Sequence, residues 1–293
     1  MRPFVTSNKP TQILISLMKQ SGIRKIVISP GTTNICFVGT VQSDPFFECY
    51  SAPDERSAAY MACGLSMESG EIVAISCTGA TASRNYMPGL TEAFYRQLPI
   101  LVITGCGTPS ERPGHLHPQI LDRSVVPNDV VKYSLHIKPI KTRGDEKRCI
   151  VDINQALSEL NRNGQGPVHI DLPAGMKIDG FGAELPKYKK IERYSQKDFP
   201  VFPTNERVAI FVGSHSIFSH ELTSAVDAFC EKTNAVVLCD HTSNYKGKYR
   251  ILMNVITDQV YYNSPCLNID LLIHIGSISG SVITFIKILY FPL

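Results

Sequence analysis

The sequence lacks long apolar runs and paired cysteines. No stretch approaches the roughly 20 apolar residues of a membrane-spanning helix, and the start, MRPFVTSNKPTQILISLMKQ, has no apolar core followed by a small-residue cleavage site. We therefore expect a cytoplasmic protein without a membrane partner. The nine cysteines stand singly and no C-x-x-C motif occurs. We expect them to be reduced core residues rather than disulfide partners or metal ligands.

A strong charge of one sign is also missing. The 29 Lys and Arg residues are scattered among 26 Asp and Glu residues, which gives a net charge of +3. Such a balance forms no basic face that could neutralise a phosphate backbone, so nucleic acid is not an expected partner. With 293 residues, 43% hydrophobic and 19% charged, the chain is long enough for about two globular domains.

Helical and strand-like segments alternate through residues 1–178. Apolar residues recur at helical spacing over 9–21, where Gly22 can end the helix in a left-handed conformation. Four short apolar runs are typical of buried strands: KIVIS, EIVAISC, PILVITG and GPVHIDLP. Strands that are apolar on both faces and alternate with helices predict an α/β fold, in which helices cover both faces of a parallel sheet.

A second unit is expected after a linker. Residues 179–205 contain Pro, Lys and Gly without periodicity, which is typical of a linker. In residues 206–293, the runs RVAIFVGS, AVVLCD and NIDLLIHIGS predict strands, and HELTSAVDAFCEKTN predicts a helix. We interpret this segment as a partial Rossmann-like domain. Its apolar end, SVITFIKILYFPL, is expected to be an element without its packing partner.

Four polar or glycine-containing segments follow predicted strands of the first domain, one of which is a further strand expected near FFECY, residues 46–50. They are residues 30–31, 54–55, 78–81 and 105–107. Ligands of open parallel sheets bind at the carboxyl ends of the strands, so these segments are expected to line one crevice. Taken singly, each has an ordinary structural explanation. Glu55 is a first-turn acid that the helix dipole favours, and Thr78-Gly79 forms a tight turn.

Taken together and in this order, the segments indicate a family. SPGT, DERSAAYMACGLSMESG, CTGATASRNYMPGLTEAF and LPILVITG resemble the N-terminal pyrimidine-binding domain of thiamine-diphosphate enzymes. The resemblance covers about residues 8–178. It is strongest to the menaquinone-pathway 2-succinyl-5-enolpyruvyl-6-hydroxy-3-cyclohexene-1-carboxylate synthases, and acetolactate synthases are somewhat further off. The second unit resembles the family's central Rossmann-like domain only in a general way.

The resemblance implies a catalytic role for Glu55. The matching glutamate of the family contacts N1′ of the aminopyrimidine and favours its imino tautomer, which then removes the thiazolium C2 proton. Small residues nearby, Ala58, Ala59, Ala62 and Gly64, allow the helix to pack closely. We therefore expect Glu55 to be poorly solvated, so that its carboxyl group keeps a proton available.

The resemblance also implies positions that contact the cofactor or the substrate. The cofactor-contacting positions match Pro30, Gly31, Thr78, Gly79 and Asn85. Gln119, in HPQILDR, fits a family glutamine near the substrate, although it is equally explained as part of a polar surface loop. A polar surface loop equally explains His115 and His117. No residues have the spacing of a metal site.

Two departures from the family limit the prediction. The synthases have an arginine in an SPGSRS loop, whereas this chain has SPGTTN. The cationic side chain that would meet a substrate carboxylate is therefore missing, and the sequence does not identify the substrate. The family's diphosphate and Mg²⁺ are held by a C-terminal domain with a Gly-Asp-Gly motif, which is absent from this sequence. We therefore expect the chain to bind only the pyrimidine end of thiamine diphosphate, with Mg²⁺ bound only where a diphosphate-binding domain is supplied elsewhere.

Three interpretations remain open. The favoured one is a truncated chain from a 2-oxo acid decarboxylase or carboligase lineage, inactive alone and forming a homodimer. The second is a subunit completed by a separate diphosphate-binding chain. The third is a non-catalytic binding or scaffold protein. A nicotinamide-binding protein is a weaker possibility, because HIGSISGS lacks the G-x-G-x-x-G spacing.

Overall fold

The chain forms two compact units, which are described separately. The structure is a computed structural model and describes residues 4–106, 127–174, 180, 184–194, 199, 201, 206–253, 255 and 268–278. The units comprise Met1–Arg193 and Tyr194–Leu293. The division between them falls inside the predicted linker.

The first unit contains one parallel sheet flanked by helices. Its strands are β1 (Lys25–Ile28), β2 (Glu48–Ser51), β3 (Val73–Cys77), β4 (Ile100–Cys106), β5 (Tyr133–His136) and β6 (Val168–Pro173). Its helices are α1 (Lys9–Gln20), α2 (Ile35–Ser43), α3 (Glu55–Ser69), α4 (Ala80–Asn85), α5 (Met87–Tyr95) and α6 (Arg143–Glu159). The strand order is β2-β1-β3-β4-β6-β5, and every pair is parallel. The predicted α/β fold is confirmed.

Alternating side chains of the strands form a core on each face of the sheet. On β4, Leu101 and Ile103 pack in the cluster that includes α1, α2 and α6, whereas Ile100 and Val102 pack in the cluster that includes α3 and α5. Consecutive strand residues point to opposite faces, so the near-continuous apolar run ILVI is buried on both. Both faces of the sheet are therefore covered by helices, as the sequence predicts.

Local capping signals set the ends of α3. The Asp54 carboxylate accepts a hydrogen bond from the backbone N–H of Ser57 at 2.7 Å, which satisfies one free donor of the first turn. At the other end Gly70 has φ +68°, a left-handed conformation that glycine adopts without strain. Because Asp54 is the cap, Glu55 is fixed as the first residue of the helix.

Several elements differ from the sequence prediction. The pattern of SRNYMPGLTEAFYRQ, residues 83–97, predicts one helix, but this region forms two, α4 and α5, which meet at Tyr86. Strand β5 was not predicted, since YSLH is short and half polar, but it pairs in parallel with β6 from Tyr133↔Val168 to His136↔Asp171. Pairing with β6 overrides the weak local preference of this segment.

Part of the predicted linker packs on the first unit. The side-chain amide of Gln20, in α1, donates a 2.7 Å hydrogen bond to the carbonyl of Tyr188. The backbone N–H of Ile191 donates to Asn154 Oδ1, in α6, at 2.7 Å. Residues 184–193 therefore belong to the first unit rather than to a free connection, because they are held across α1 and α6.

The second unit is a smaller parallel α/β unit. It contains β7 (Val208–Val212), α7 (His220–Thr233), β8 (Val236–Cys239), β9 (Arg250–Leu252) and β10 (Leu271–Ile275). The strand order is β10-β7-β8-β9, with all pairs parallel. The three predicted strands and the helix are present, and β9 was not predicted. Throughout the described residues, every helix is too short or too polar to span a bilayer.

Candidate cofactor site

The strand order places a crevice between the carboxyl ends of β1 and β3. From β1 the chain continues into α2 on one face of the sheet, and from β3 it continues into α4 and α5 on the other. Such a reversal is the place where open α/β sheets bind ligands. The predicted residues Pro30 and Gly31 follow β1, and Thr78 and Gly79 follow β3. Four of the predicted cofactor-binding residues thus meet at one crevice.

Gly31 lets the two loops of the crevice approach closely. A Cβ atom added at Gly31 would lie 2.3 Å from Cγ2 of Thr78, a distance that side chains do not tolerate. The φ of Gly31 is −170°, which any residue can adopt. The need for glycine here is therefore steric rather than conformational.

Asn34 braces the loop that contains Gly31. Its Oδ1 accepts a hydrogen bond from the backbone N–H of Gly31 at 2.9 Å. Its Nδ2 donates to the carbonyl of Ser29 at 3.1 Å and to Ser76 Oγ, on β3, at 3.2 Å. Asn34 is buried and was not selected by the sequence analysis. The signal was available, because an asparagine three residues after a Pro-Gly turn is able to cap the loop with its side chain.

Glu55 and Asn85 are brought together at the mouth of this region. The Asn85 side-chain amide donates a hydrogen bond to Glu55 Oε2 at 3.3 Å. Glu55 is half-buried and Asn85 is exposed within the chain. The described residues therefore orient the Glu55 carboxylate, but they do not enclose it as completely as the sequence analysis expects.

Small residues bring α3 and α5 into close contact, as predicted for the alanine-rich helix. Ala58, Ala59 and Ala62 are buried on the face of α3 toward the sheet and α5. A Cβ atom added at Gly89, in α5, would lie 2.5 Å from the Cβ of Ala59. The Cys63 thiol donates to the Gly89 carbonyl at 3.4 Å. This packing fixes the axis of the helix that begins with Glu55.

The end of β4 packs against the loop that follows β1. A Cβ atom added at Gly105 would lie 2.3 Å from the carbonyl oxygen of Thr33. The hydroxyl of Thr33 is buried and has no hydrogen-bond partner among the described residues.

The predicted substrate residue Gln119 lies outside the described residues, as do His115 and His117. Within the described residues, no group of three or more His, Cys, Asp and Glu side chains could hold a metal ion. Seven of the eight described cysteines are buried, Cys49 is exposed, and all eight are free thiols.

A polar cluster on β4, β6 and β5 escaped the sequence analysis. The fully buried Asp171 accepts a hydrogen bond from Thr104 Oγ1 at 2.9 Å, and its Oδ2 lies 2.6 Å from Nδ1 of His136. Since Thr104 donates to Asp171, it accepts from Nε2 of His169, 2.9 Å away. The cluster is separated from β2, which leads to Glu55, by β1 and β3. The alternation in VHIDLP, which puts His169 and Asp171 on one face, was a usable signal.

Comparison with known proteins relates part of the first unit to a known family. Residues 9–125 match the family described as "Thiamine pyrophosphate enzyme, N-terminal TPP binding domain". Residues 9–125 of this chain are thus similar to the N-terminal thiamine pyrophosphate binding domain of that family. The match includes the loops after β1 and β3 and the Glu55–Asn85 pair.

Similar proteins extend beyond this domain. The 2-succinyl-5-enolpyruvyl-6-hydroxy-3-cyclohexene-1-carboxylate synthase of Phocaeicola vulgatus is 40% identical over 182 residues, which are 62% of this chain and 32% of that protein. The synthase of the same name from Staphylococcus saprophyticus is 26% identical over 284 residues, 90% of this chain and 48% of that protein. The chain thus spans about a third to a half of the length of these relatives.

A solved structure supports the fold. The X-ray structure of a protein from Mycobacterium smegmatis, described as a thiamin diphosphate-dependent enzyme, superimposes with a TM-score of 0.51. It is 18% identical and the match covers 80% of this chain and 44% of that one. At this identity the likeness shows the fold alone. The similarity to a thiamine pyrophosphate binding domain therefore rests on the sequence match of residues 9–125.

Proposed function

We propose that this chain binds the aminopyrimidine end of thiamine diphosphate at the β1–β3 crevice, as part of a 2-oxo acid decarboxylase or carboligase. The observation that carries the proposal is the Asn85–Glu55 hydrogen bond of 3.3 Å beside that crevice. In this proposal the Glu55 carboxylate, held by the neutral amide of Asn85, faces the entering ligand. Gly31 allows the loops after β1 and β3 to pack closely at this edge of the sheet, since a side chain there would meet Thr78.

The residues of the chain have separable roles in this proposal. Glu55 exchanges a proton with a ring nitrogen of the aminopyrimidine, which a carboxyl group does within hydrogen-bond reach. Asn85 orients the Glu55 carboxylate, and Asn34 keeps the Gly31 loop open through its three hydrogen bonds. When bound, thiamine diphosphate supplies an electron sink for the carbanion left by loss of carbon dioxide.

The diphosphate group requires a partner in this proposal. The described residues contain no cluster able to hold a metal ion, and the sequence contains no Gly-Asp-Gly. We infer that Mg²⁺ and the diphosphate are held by a further domain, on a longer chain or on a separate subunit. Without that domain the chain is expected to bind the cofactor weakly and not to turn over.

Exposed apolar side chains support association, as a homodimer or with a partner chain. Tyr60, Met61 and Met67 are exposed on α3, and Tyr95 is 70% exposed at the end of α5. Clusters of this kind on a soluble domain mark interaction surfaces. Because α3 also contains Glu55, a subunit docked on α3 and α5 would complete the burial of the carboxylate.

A chimeric enzyme tests the proposed function. The chain is fused to the remaining C-terminal part of the Phocaeicola vulgatus synthase, and exchange of the cofactor C2 proton is followed by NMR in deuterated water. We expect the chimera to exchange faster than the free cofactor. Replacement of Glu55 by Gln should slow exchange at least about a hundredfold, because general acid–base groups contribute at least that much.

The matched control for this experiment is Glu92→Gln. Glu92 is an exposed acid on α5. Among the described residues it forms an ion pair with Arg96, whose Nη1 lies 3.4 Å from Glu92 Oε1. The chimera with Glu92→Gln should exchange the cofactor C2 proton at the rate of the parent chimera. A chimera that binds the cofactor and exchanges no faster than free cofactor, or one in which Glu55→Gln changes nothing, would contradict the proposal.

A further inference from the structure

A small cavity lies next to the loop that follows β1. It has a volume of about 10 Å³, and residues of this loop and of α1, α2, β4 and β6 line it. Its apolar lining includes Phe37, Ile103 and Leu172, which belong to the core on the α1, α2 and α6 face of the sheet. Its polar lining includes Thr11, in the first turn of α1, and Thr33, in the loop. The cavity is therefore small and only partly apolar.

The hydroxyl of Thr33 is an unsatisfied polar group in this lining. Its Oγ1 atom is buried and forms no hydrogen bond to any described residue. Buried polar atoms are nearly always hydrogen-bonded, either to protein or to ordered water, so this atom calls for a partner. Packing alone does not explain the hydroxyl, because valine would fill nearly the same space without the cost of burying it.

Packing holds Thr33 in this place. A Cβ atom added at Gly105 would lie 2.3 Å from the Thr33 carbonyl oxygen, so the main chain of the loop lies directly against β4. The next residue, Asn34, holds the loop to β3 by donating to Ser76 Oγ at 3.2 Å. Because these contacts fix the loop, a partner for the Thr33 hydroxyl has to enter the cavity.

Thr11 presents a second hydroxyl to the same cavity. Thr11 is 2% exposed, and its Oγ1 donates a hydrogen bond to Asn8 Oδ1 at 2.9 Å. That bond uses the hydrogen of the hydroxyl and leaves the lone pairs of the oxygen as acceptors. The cavity therefore has a donor at Thr33 and an acceptor at Thr11.

We propose that this cavity is a binding site for one water molecule, which bridges Thr33 and Thr11. The water accepts a hydrogen bond from the Thr33 hydroxyl and donates one to Thr11 Oγ1. A cavity of about 10 Å³ is close to the smallest that holds a water, about 10–15 Å³, and a polar lining is what such a site requires. The bridge would tie the loop after β1 to the start of α1, and it does not depend on cofactor binding.

The sign of a stability change tests the water site on the chain itself. Thr33→Val removes the hydroxyl and keeps the shape, and Thr32→Val, at the exposed neighbour, is the matched control. We expect Thr33→Val to lower the equilibrium constant for folding about fivefold in urea unfolding, which is the effect of one hydrogen bond. Thr32→Val should stay within about twofold of the parent.

An unpaired hydroxyl would give the opposite sign. Its removal would relieve the cost of burying it, so Thr33→Val would be more stable than the parent. A Thr33→Val protein that is as stable as the parent, or more stable, would overturn the water site.

A double-mutant cycle isolates the bridge from the direct contacts of each residue. Thr11→Val removes the acceptor of the water together with the bond to Asn8. The hydrogen bonds of Thr11 and Thr33 to described residues include none that joins the two, so coupling between the substitutions reports the water. We expect Thr33→Val to cost less in the Thr11→Val background than in the parent. An equal cost in both backgrounds would overturn the bridge.

A crystal structure of the chain gives the direct observation. We expect an ordered water within hydrogen-bond distance of Thr33 Oγ1 and Thr11 Oγ1. The same water should be present in Thr33→Ser, which keeps the hydroxyl, and absent from Thr33→Val. A cavity without density in the parent, or a water that Thr33→Val leaves unchanged, would overturn the proposal.

Discussion

The side-chain amide of Asn85 donates to the carboxylate of Glu55 at 3.3 Å, and this contact joins the last residue of α4 to the first residue of α3. The two residues are 30 positions apart in the chain. They meet because β2 and β3 flank β1 in the sheet and release their helices at the same edge. The site is therefore a product of strand order, and substitutions that disturb the loops at this edge should affect it.

Replacing Gly31 by Ala should narrow the crevice. The new Cβ would lie 2.3 Å from Thr78 Cγ2, so Thr78 must shift. Forcing a methyl group into a packed contact costs about 1–3 kcal/mol, and we expect lower thermal stability and weaker binding of thiamine diphosphate. Adding Thr78→Ser removes Cγ2 and should restore both. If Gly31→Ala and the double variant unfold at the same temperature, the contact is not the cause.

Two helix glycines should respond in opposite directions to alanine. Gly89→Ala places a Cβ 2.5 Å from that of Ala59 and 3.1 Å from its backbone carbon, which cannot move freely. We expect a loss of about 1–3 kcal/mol in the free energy of unfolding, measured with urea. Gly64, in α3, has no described atom within 4 Å of the added Cβ. Gly64→Ala should stabilise by about 0.5–1 kcal/mol, and destabilisation of both variants to the same extent would contradict this packing.

The sequence predicts more of the fold than of the site. Buried strands such as EIVAISC and the cap at Asp54 carry strong local signals, and the structure contains both. Strand β5 has no such signal, because pairing with β6 rather than its own residues makes it a strand. Likewise, the sequence pattern places Tyr86 inside one long helix. Only the packed structure shows that the helix breaks there and buries the phenol.

The candidate site likewise contains residues that the sequence indicates and contacts that it does not. Glu55 and Asn85 are named by their resemblance to a family, and their contact is a fact of strand order that no local pattern contains. Asn34 was missed because its role depends on reaching Ser76 on another strand. Asp171 was missed because VHIDLP is explained as an ordinary buried strand. Interactions between distant segments are the part that local sequence patterns leave out.

Asp171→Asn should destabilise the β4–β6–β5 side of the sheet. The buried carboxylate accepts a hydrogen bond from Thr104 with one oxygen and pairs with His136 through the other. In asparagine one of these oxygens becomes an NH₂ group, which would face Thr104 or His136, donor against donor. An unsatisfied buried group costs about 1–3 kcal/mol, which urea unfolding can measure. Asp152→Asn, a half-buried acid on α6, is the control and should stay close to the parent. Equal stability of Asp171→Asn and the parent would contradict the cluster.

Cysteine reactivity should follow burial. Burial raises the pKa of Cys63 to about 11 and that of Cys149 to about 12. At pH 8 a thiol with a pKa of 11 is only ~0.1% thiolate, and the thiolate is the reactive form. We expect iodoacetamide to modify the exposed Cys49 before Cys63 and Cys149, which should react only after unfolding, as followed by mass spectrometry of peptides. Early modification of Cys149 in the folded protein would contradict its burial on the core-facing side of α6.

The central claim is that the crevice beside Glu55 takes the pyrimidine end of thiamine diphosphate, and saturation-transfer NMR on the chain tests it most directly. The method detects weak binding, so no diphosphate-binding partner is needed. We predict that the ring proton and methyl group of the aminopyrimidine receive more saturation than the methylene groups beside the diphosphate, and that Glu55→Ala reduces this transfer. Uniform or absent transfer, or transfer that Glu55→Ala leaves unchanged, would contradict the account.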